Sequence, residues 1–265
     1  MIAAESIADN DLDIANRLVN LANIQQNRFD YAASEPLLRR ALALRRGVLG
    51  ENHYDVAESL LGLAWCLTDN EDYIEAESLF YEALAIYKAL YGNINASALT
   101  VLNGLGWLFN CKGDYVASES RFREAFDIMK HVFDGSFYEA SNVLSNLGTM
   151  FNAKGDFDTA ESVYHESLAM CKKVLVDHHP NVAITLTGLG DAHQAKGDYK
   201  RAKVRHLESL EMRRMIFGEN HGAVTTSLVD LGKLHYNLGQ YGTSERYYRK
   251  ALDCQRNFFA IVTRK

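Results

Sequence analysis

The sequence predicts an all-α solenoid of about six helix-turn-helix repeats, and three observations carry that prediction. The first is a stretch that returns every 42 residues: LANIQQNRFDY from Leu21, LAWCLTDNEDY from Leu63, LGWLFNCKGDY from Leu105, LGTMFNAKGDF from Leu147, LGDAHQAKGDY from Leu189 and LGKLHYNLGQY from Leu231. A fixed period of this size marks an array of supersecondary units. The second is helical spacing inside each copy. Val56, Leu60, Leu63, Ala64 and Leu67 recur at three- and four-residue steps, and so do Ala76, Leu79, Phe80, Ala83, Leu84 and Tyr87 after Asp72. Each series is the apolar stripe of an amphipathic helix. The third is the punctuation between the two helices. Gly113, Gly155, Gly197 and Gly239 share one repeat position, where a helix C-terminus accepts a left-handed residue. Asp72, Asp114, Asp156 and Asp198 follow, placed to cap the second helix. Repeats one and two carry Phe29 and Glu71 at the glycine position, so their turns are expected to be less regular.

A lone helix pair cannot bury its stripe, and stacked neighbours close the core. Small residues support close stacking: Ala22, Ala64, Gly106, Gly148, Gly190 and Gly232 on the first helices, and Ala41, Ala83, Ala125, Ser167, Ser209 and Ala251 on the second. The repeats fall at about 11–53, 54–95, 96–137, 138–179, 180–221 and 222–258, with 1–10 a cap or remnant helix and 259–265 a tail. The last helix runs into NFFAIVTRK, whose Phe258, Phe259, Ile261 and Val262 call for a covering repeat. The expectation is a longer parent chain, or end-to-end self-association through that helix.

Composition excludes several function classes. The chain has 265 residues and net charge -6, so it lacks the basic character that nucleic acid requires. Cys66, Cys111, Cys171 and Cys254 are widely spaced and read as reduced thiols of a cytoplasmic protein. No apolar run approaches the ~18 residues of a membrane span, and MIAAESIADN lacks the basic start of a secretory leader. No catalytic set, metal site or cofactor motif emerges. DHHP at 177–180 reads as a connector, because its histidine position recurs in GENH at 50–53 and 218–221. His193 and His235 share one position near the end of a first helix and read as partly buried packing residues. The pairs Arg39-Arg40, Arg45-Arg46 and Arg213-Arg214 are expected on a solvated outer face.

Leucine followed by Gly or Ala, an aromatic-bearing helix end, a Gly-Asp-Tyr turn and a small-Leu pair together resemble the tetratricopeptide repeat. The 42-residue unit, with the connector His179-Pro180 and the related His53 and His221, is similar to the kinesin light chain form. The resemblance spans roughly residues 11 to 258. It implies a right-handed superhelix whose first helices line a concave groove for extended peptide segments. No heptad segment for joining a motor heavy chain is present, so a transport role does not carry over.

Lining up the first helices by the period gives candidate groove residues. The position after the small residue holds Asn23, Trp65, Trp107, Thr149, Asp191 and Lys233, and its change of chemistry from copy to copy marks a displayed surface. Other positions on the same face are Asn16, Glu58, Thr100, Asn142, Ile184 and Thr226; Val19, Leu61, Asn103, Ser145, Thr187 and Val229; and Gln26, Thr68, Asn110, Asn152, Gln194 and Tyr236. With Asn146, the amides Asn103, Asn110, Asn142 and Asn152 form a ladder whose donors and acceptors suit a peptide main chain. Lys233 is the one basic residue on these positions, too few to clamp a terminal carboxylate. A neutral peptide with apolar anchors at Trp65 and Trp107 is the expected partner. The expected function is a scaffold or adaptor that binds peptides, the alternative a regulatory or sensor segment of a larger signalling protein.

Overall fold

The computed structural model describes residues 2–132, 138–174 and 179–262, which form twelve α-helices and no strand. The chain divides into an amino-terminal unit, Met1–Asp134, and a carboxy-terminal unit, Gly135–Lys265. The first holds α1 (Ile2–Gln26), α2 (Tyr31–Leu49), α3 (Tyr54–Asp69), α4 (Tyr73–Tyr91), α5 (Ala96–Cys111) and α6 (Tyr115–Val132). The second holds α7 (Tyr138–Lys154), α8 (Phe157–Val174), α9 (Pro180–Ala195), α10 (Tyr199–Phe217), α11 (Gly222–Asn237) and α12 (Tyr241–Val262). Odd-numbered helices are the first, and even-numbered the second, of each repeat. Within each unit every helix packs on the next, and α3 also meets α5, as α7 meets α9. Helix α1 runs unbroken from Ile2, so residues 2–10 extend the first repeat helix. Asp177, His178, and the side chains of Phe259, Ile261 and Val262 lie outside the described residues, whereas Phe258 rests edge-on against His221 at 5.7 Å.

A buried ring locks the helix pairs α5–α6, α7–α8 and α9–α10. Phe122 of α6 stands so close to Gly106 of α5 that an added Cβ would lie 2.6 Å from its ring, and Tyr164 relates to Gly148, and His206 to Gly190, at the same 2.6 Å. These rings are almost wholly buried. The ring also meets the following repeat: a Cβ on Gly104 would lie 2.5 Å from Phe80, and one on Gly188 would lie 2.2 Å from Tyr164. Gly106, Gly148 and Gly190 are therefore holes into which a ring inserts, while the first repeat has Leu38 at the ring position.

The turns are more uniform than the sequence suggests. Gly113, Gly155, Gly197 and Gly239 have φ of 76°, 85°, 79° and 69°, yet Phe29 and Glu71 take φ of 61° and 65°. The expectation of less regular turns is thus overturned. Glu71 N–H donates to Thr68 at 3.2 Å and Asp72 N–H to Leu67 at 2.9 Å, matching Gly113 to Asn110 at 3.0 Å and Asp114 to Phe109 at 2.9 Å. This closure of the helix C-terminus dictates the left-handed residue, whatever its side chain. Asp30, Asp114, Asp156 and Asp198 then accept from the backbone N–H three residues on, at 3.0–3.2 Å, while Asp72 makes no such bond.

Three first helices open on a histidine cap. His53, His179 and His221 each accept, through Nδ1, the backbone N–H two residues on at 3.1 Å. Asn95 fills the same repeat position on α5 and accepts from Ala98 at 2.7 Å. An imidazolium has no acceptor nitrogen, so each histidine caps only when neutral. Burial holds His179 below the ordinary histidine value.

Three outcomes follow from this packing. Glu71→Gly relieves a left-handed non-glycine residue and raises unfolding free energy by roughly 1 kcal/mol in urea titration. Gly106→Ala gains about 1 kcal/mol of helix propensity but forces a methyl against an immobile ring, at about 1–3 kcal/mol. It therefore lowers stability, whereas Gly47→Ala, with open space around its Cβ, raises it. For His179 the unfolded chain binds the proton more readily, so the cap's contribution is complete above about pH 6.5 and fades as pH falls below it. His179→Asn matches the parent near pH 8 and exceeds it by up to about 1 kcal/mol near pH 5, measured by denaturant unfolding at each pH.

Candidate peptide-binding surface

The first helices of the amino-terminal unit place Asn23 in solvent and leave Trp65 and Trp107 half-buried. Trp65 meets Phe80 edge-on at 5.6 Å and approaches the Gly104 backbone of the next repeat, so one side of the indole packs in the joint and the rest faces outward. Asn103 is buried, at 9% exposure, and Asn110 is half-buried with its Oδ1 unpartnered. A recess of about 240 Å³ opens between α1, α2 and α3, lined among others by Val19, Asn23, Arg45, Tyr54 and Glu58. In it Arg45 donates to the Asp55 carbonyl at 3.0 Å, Ser59 Oγ at 2.8 Å and Asn16 Oδ1 at 2.8 Å, all neutral acceptors. Glu58 accepts from the Tyr87 hydroxyl, and burial with this bond pushes that phenol well above its ordinary range.

The carboxy-terminal unit carries the other candidates. Asn142, Asn146, Thr149 and Asn152 are half-buried on α7, while Lys233 and Tyr236 are exposed on α11. Thr149 Oγ1 lies 3.1 Å from the Tyr164 hydroxyl and donates to the Ser145 carbonyl at 2.9 Å. Asn152 donates to the Gly188 carbonyl at 2.9 Å, bracing α7 against α9, and its Oδ1 is buried without a partner. Tyr236 stacks edge-on against Tyr241 at 5.5 Å. The amides thus differ in availability: Asn152 already bridges helices and Asn103 is enclosed. His193 and His235 are both 3% exposed, the latter stacked on Tyr247 at 5.4 Å.

The outer-face expectation for the arginines fails at two of the three pairs. Arg39 does face outward, pairing with Glu75 through two bonds of 2.6 Å. Arg45 turns inward as described, and Arg213 is 8% exposed, donating to Ser227 Oγ at 2.7 Å and the Ala223 carbonyl at 3.2 Å. Arg45 and Arg213 occupy one repeat position and staple successive repeats with the same pair of bonds. The helix moment missed them because a long side chain can reach past the edge of a stripe.

Around Arg213 the structure assembles a charged cluster that sequence reasoning read only in part. His206, 1% exposed, holds the ring position occupied by Phe80, Phe122 and Tyr164 elsewhere. Asp230, its side chain 13% exposed, stands where Gly104 and Gly188 receive those rings. His206 Nε2 lies 3.8 Å from Asp191 Oδ1 and has no hydrogen-bond partner. Lys233 Nζ lies 3.8 Å from Asp230 Oδ1. Burial, then the Asp230 charge, raises the Asp191 carboxyl to about 7, and burial raises Asp230 as well. Burial, then Arg213 and Lys233, lowers His206 to about 4. Asp191 is 55% exposed all the same. Since both partners shift toward neutrality, the 3.8 Å His206–Asp191 contact is not a charged pair at neutral pH. Lining up the ring column by the period exposes His206 as the odd member, and that signal was present in the sequence.

Among the described residues no cluster of three His, Cys, Asp or Glu could hold a metal, and no helix is long and apolar enough to cross a membrane. No curated protein matches the sequence. Solved structures do match its fold. Nearly identical TPR-like repeats from a Podosopora anserina protein described as a kinesin light chain share 18% identity, with TM-score 0.61 over 76% of this chain and 95% of that one. BtubC (BKLC) from P. vanneervenii shares 19%, with TM-score 0.65 over 94% and 91%. A Rap protein complexed with competence and sporulation factor shares 12%, with TM-score 0.67 over 97% and 79%. Models of the tetratricopeptide repeat match residues 13–89, 66–131, 139–214 and 224–257. With helix pairs at a 42-residue period and these matches over most of its length, the chain belongs to the tetratricopeptide repeat family, and its fold is similar to that of the kinesin light chain repeats.

Proposed function

We propose that the chain is a non-catalytic interaction module that holds a peptide segment of a partner protein against its first helices. The observation that carries this reading is one repeat position on the first helices, held by Asn23, Trp65 and Trp107 in the amino-terminal unit and by Thr149, Asp191 and Lys233 in the carboxy-terminal one. Each of these side chains retains solvent access, and from Trp65 onward the positions on either side are buried small or apolar residues. Half-exposed indoles are efficient anchors: they offer large apolar area with few rotatable bonds to freeze. Trp65 is already braced by Phe80, so binding orders little that is not already ordered. The family's general use as a protein-interaction scaffold supports the same reading, as does the Rap protein solved with its factor. Near the tryptophans the ligand is a neutral segment with apolar anchors.

The test begins with a random displayed peptide library sorted on the full chain. For the enriched peptides, Trp65→Ala or Trp107→Ala weakens binding about thirtyfold, the equivalent of about 2 kcal/mol for a central anchor. Circular dichroism should stay helical in both variants. Enriched peptides that bind both variants as tightly as the parent would remove the indoles from the site.

A further inference from the structure

We infer that the surface around Asp191 is a recognition site for a cationic N–H group, a lysine or arginine side chain of the bound peptide; this rests on the peptide-binding reading above. Asp191 belongs to the displayed column of the first helices, and its carboxylate is accessible. Among the described residues, His206 is its one partner within ion-pair distance, and it is neutral at physiological pH. The cations nearby are otherwise engaged. Arg213 is tied to Ser227 and Ala223, and Lys233 leans toward Asp230. His206, almost wholly enclosed, turns an unpartnered Nε2 toward Asp191 Oδ1.

The placement of these groups differs from that in the other repeats. Elsewhere a phenyl or phenol ring fills this joint against glycine, with no charge to desolvate. Here an imidazole takes the place of the ring against Gly190 and Asp230 that of the next glycine, which brings titratable groups behind Asp191. A ligand cation adds a direct partner to the partial compensation that Lys233 and Arg213 give Asp191 from further off. His206 backs the carboxylate in either state, since its Nε2 can face a carboxylic O–H as acceptor or a carboxylate as donor. Lysine and arginine both fit this chemistry; a terminal carboxylate or acidic side chain does not.

Binding is then coupled to a proton. The groups facing Asp191 are Tyr164 from α8, His206 and Arg213 from α10, and Asp230 and Lys233 from α11. Tyr164 keeps its proton, because burial raises it far above neutrality, and His206 stays neutral. Asp191, held at about 7, changes state near neutral pH. When the cation seats, the carboxyl O–H gives its proton to solvent and the carboxylate pairs with the ligand N–H. Affinity therefore weakens as pH falls through 7, about tenfold from pH 8 to pH 6.

The experiment sorts the same random peptide library on the full chain and on Asp191→Asn at about pH 8. The expected result is enrichment of lysine or arginine on the parent, lost on Asp191→Asn. The best basic peptide should bind the parent about tenfold more weakly at pH 6 than at pH 8, and the variant with a flat profile. A pool that binds but shows no basic bias, or keeps its bias on Asp191→Asn, overturns the cation site while peptide binding stands. A library that yields no binder at all, including none sensitive to Trp65→Ala or Trp107→Ala, overturns both. Asp191→Asn changes an accessible isostere, and retained thermal unfolding confirms that the variant is folded.

Discussion

The structure depends on one contact that recurs in its central repeats: a buried ring seated on the backbone of a glycine. It sets how closely the two helices of a pair approach, as Phe122 on Gly106 and Tyr164 on Gly148 show. It also sets the joint to the next repeat, because the same ring meets Gly104 or Gly188. Such a contact has no slack. Interiors pack at crystal-like density, and a ring within 3 Å of a would-be Cβ cannot yield without moving a helix. The variable residues on the first helices are displayed because the ring column behind them absorbs the packing.

Where that column changes chemistry, the surface in front of it changes too. His206 in place of a phenyl ring stands with Asp191, Arg213 and Asp230, a set linked by electrostatics. The opposite shifts of Asp191 and His206 have one main cause, since burial penalises whichever form carries charge. The equivalent joint between α1, α2 and α3 keeps the arginine staple but has Asn23 and Leu38 where Asp191 and His206 stand. One architecture thus carries two different surfaces.

Much of the fold was legible because its signals are periodic: Leu63, Leu105 and Leu147 repeat in register, and so do Gly113, Gly155 and Gly197. The site was less legible. Periodicity shows that Trp65 and Trp107 vary from their counterparts, but not that Trp65 spends one edge on Phe80. Asn152 reads as a free amide until its bond to Gly188 is seen. Arg213 reads as surface because composition cannot reveal that a guanidinium finds Ser227 across a repeat boundary. These are contacts between elements far apart in sequence, set by side-chain reach, and a single chain encodes them without spelling them out.

The left-handed turn residue has a consequence for how such a chain can change over evolutionary time. Phe29 and Glu71 adopt the glycine conformation because the helix pair closes around them, so this site tolerates any side chain at a modest and local cost. It lies in the turn, away from the ring joints and from the column of displayed residues. Drift there adjusts the robustness of one repeat while leaving its neighbours and its recognition surface untouched. The array therefore carries, at Phe29, Glu71, Gly113, Gly155, Gly197 and Gly239, a row of tuning positions independent of what it recognises.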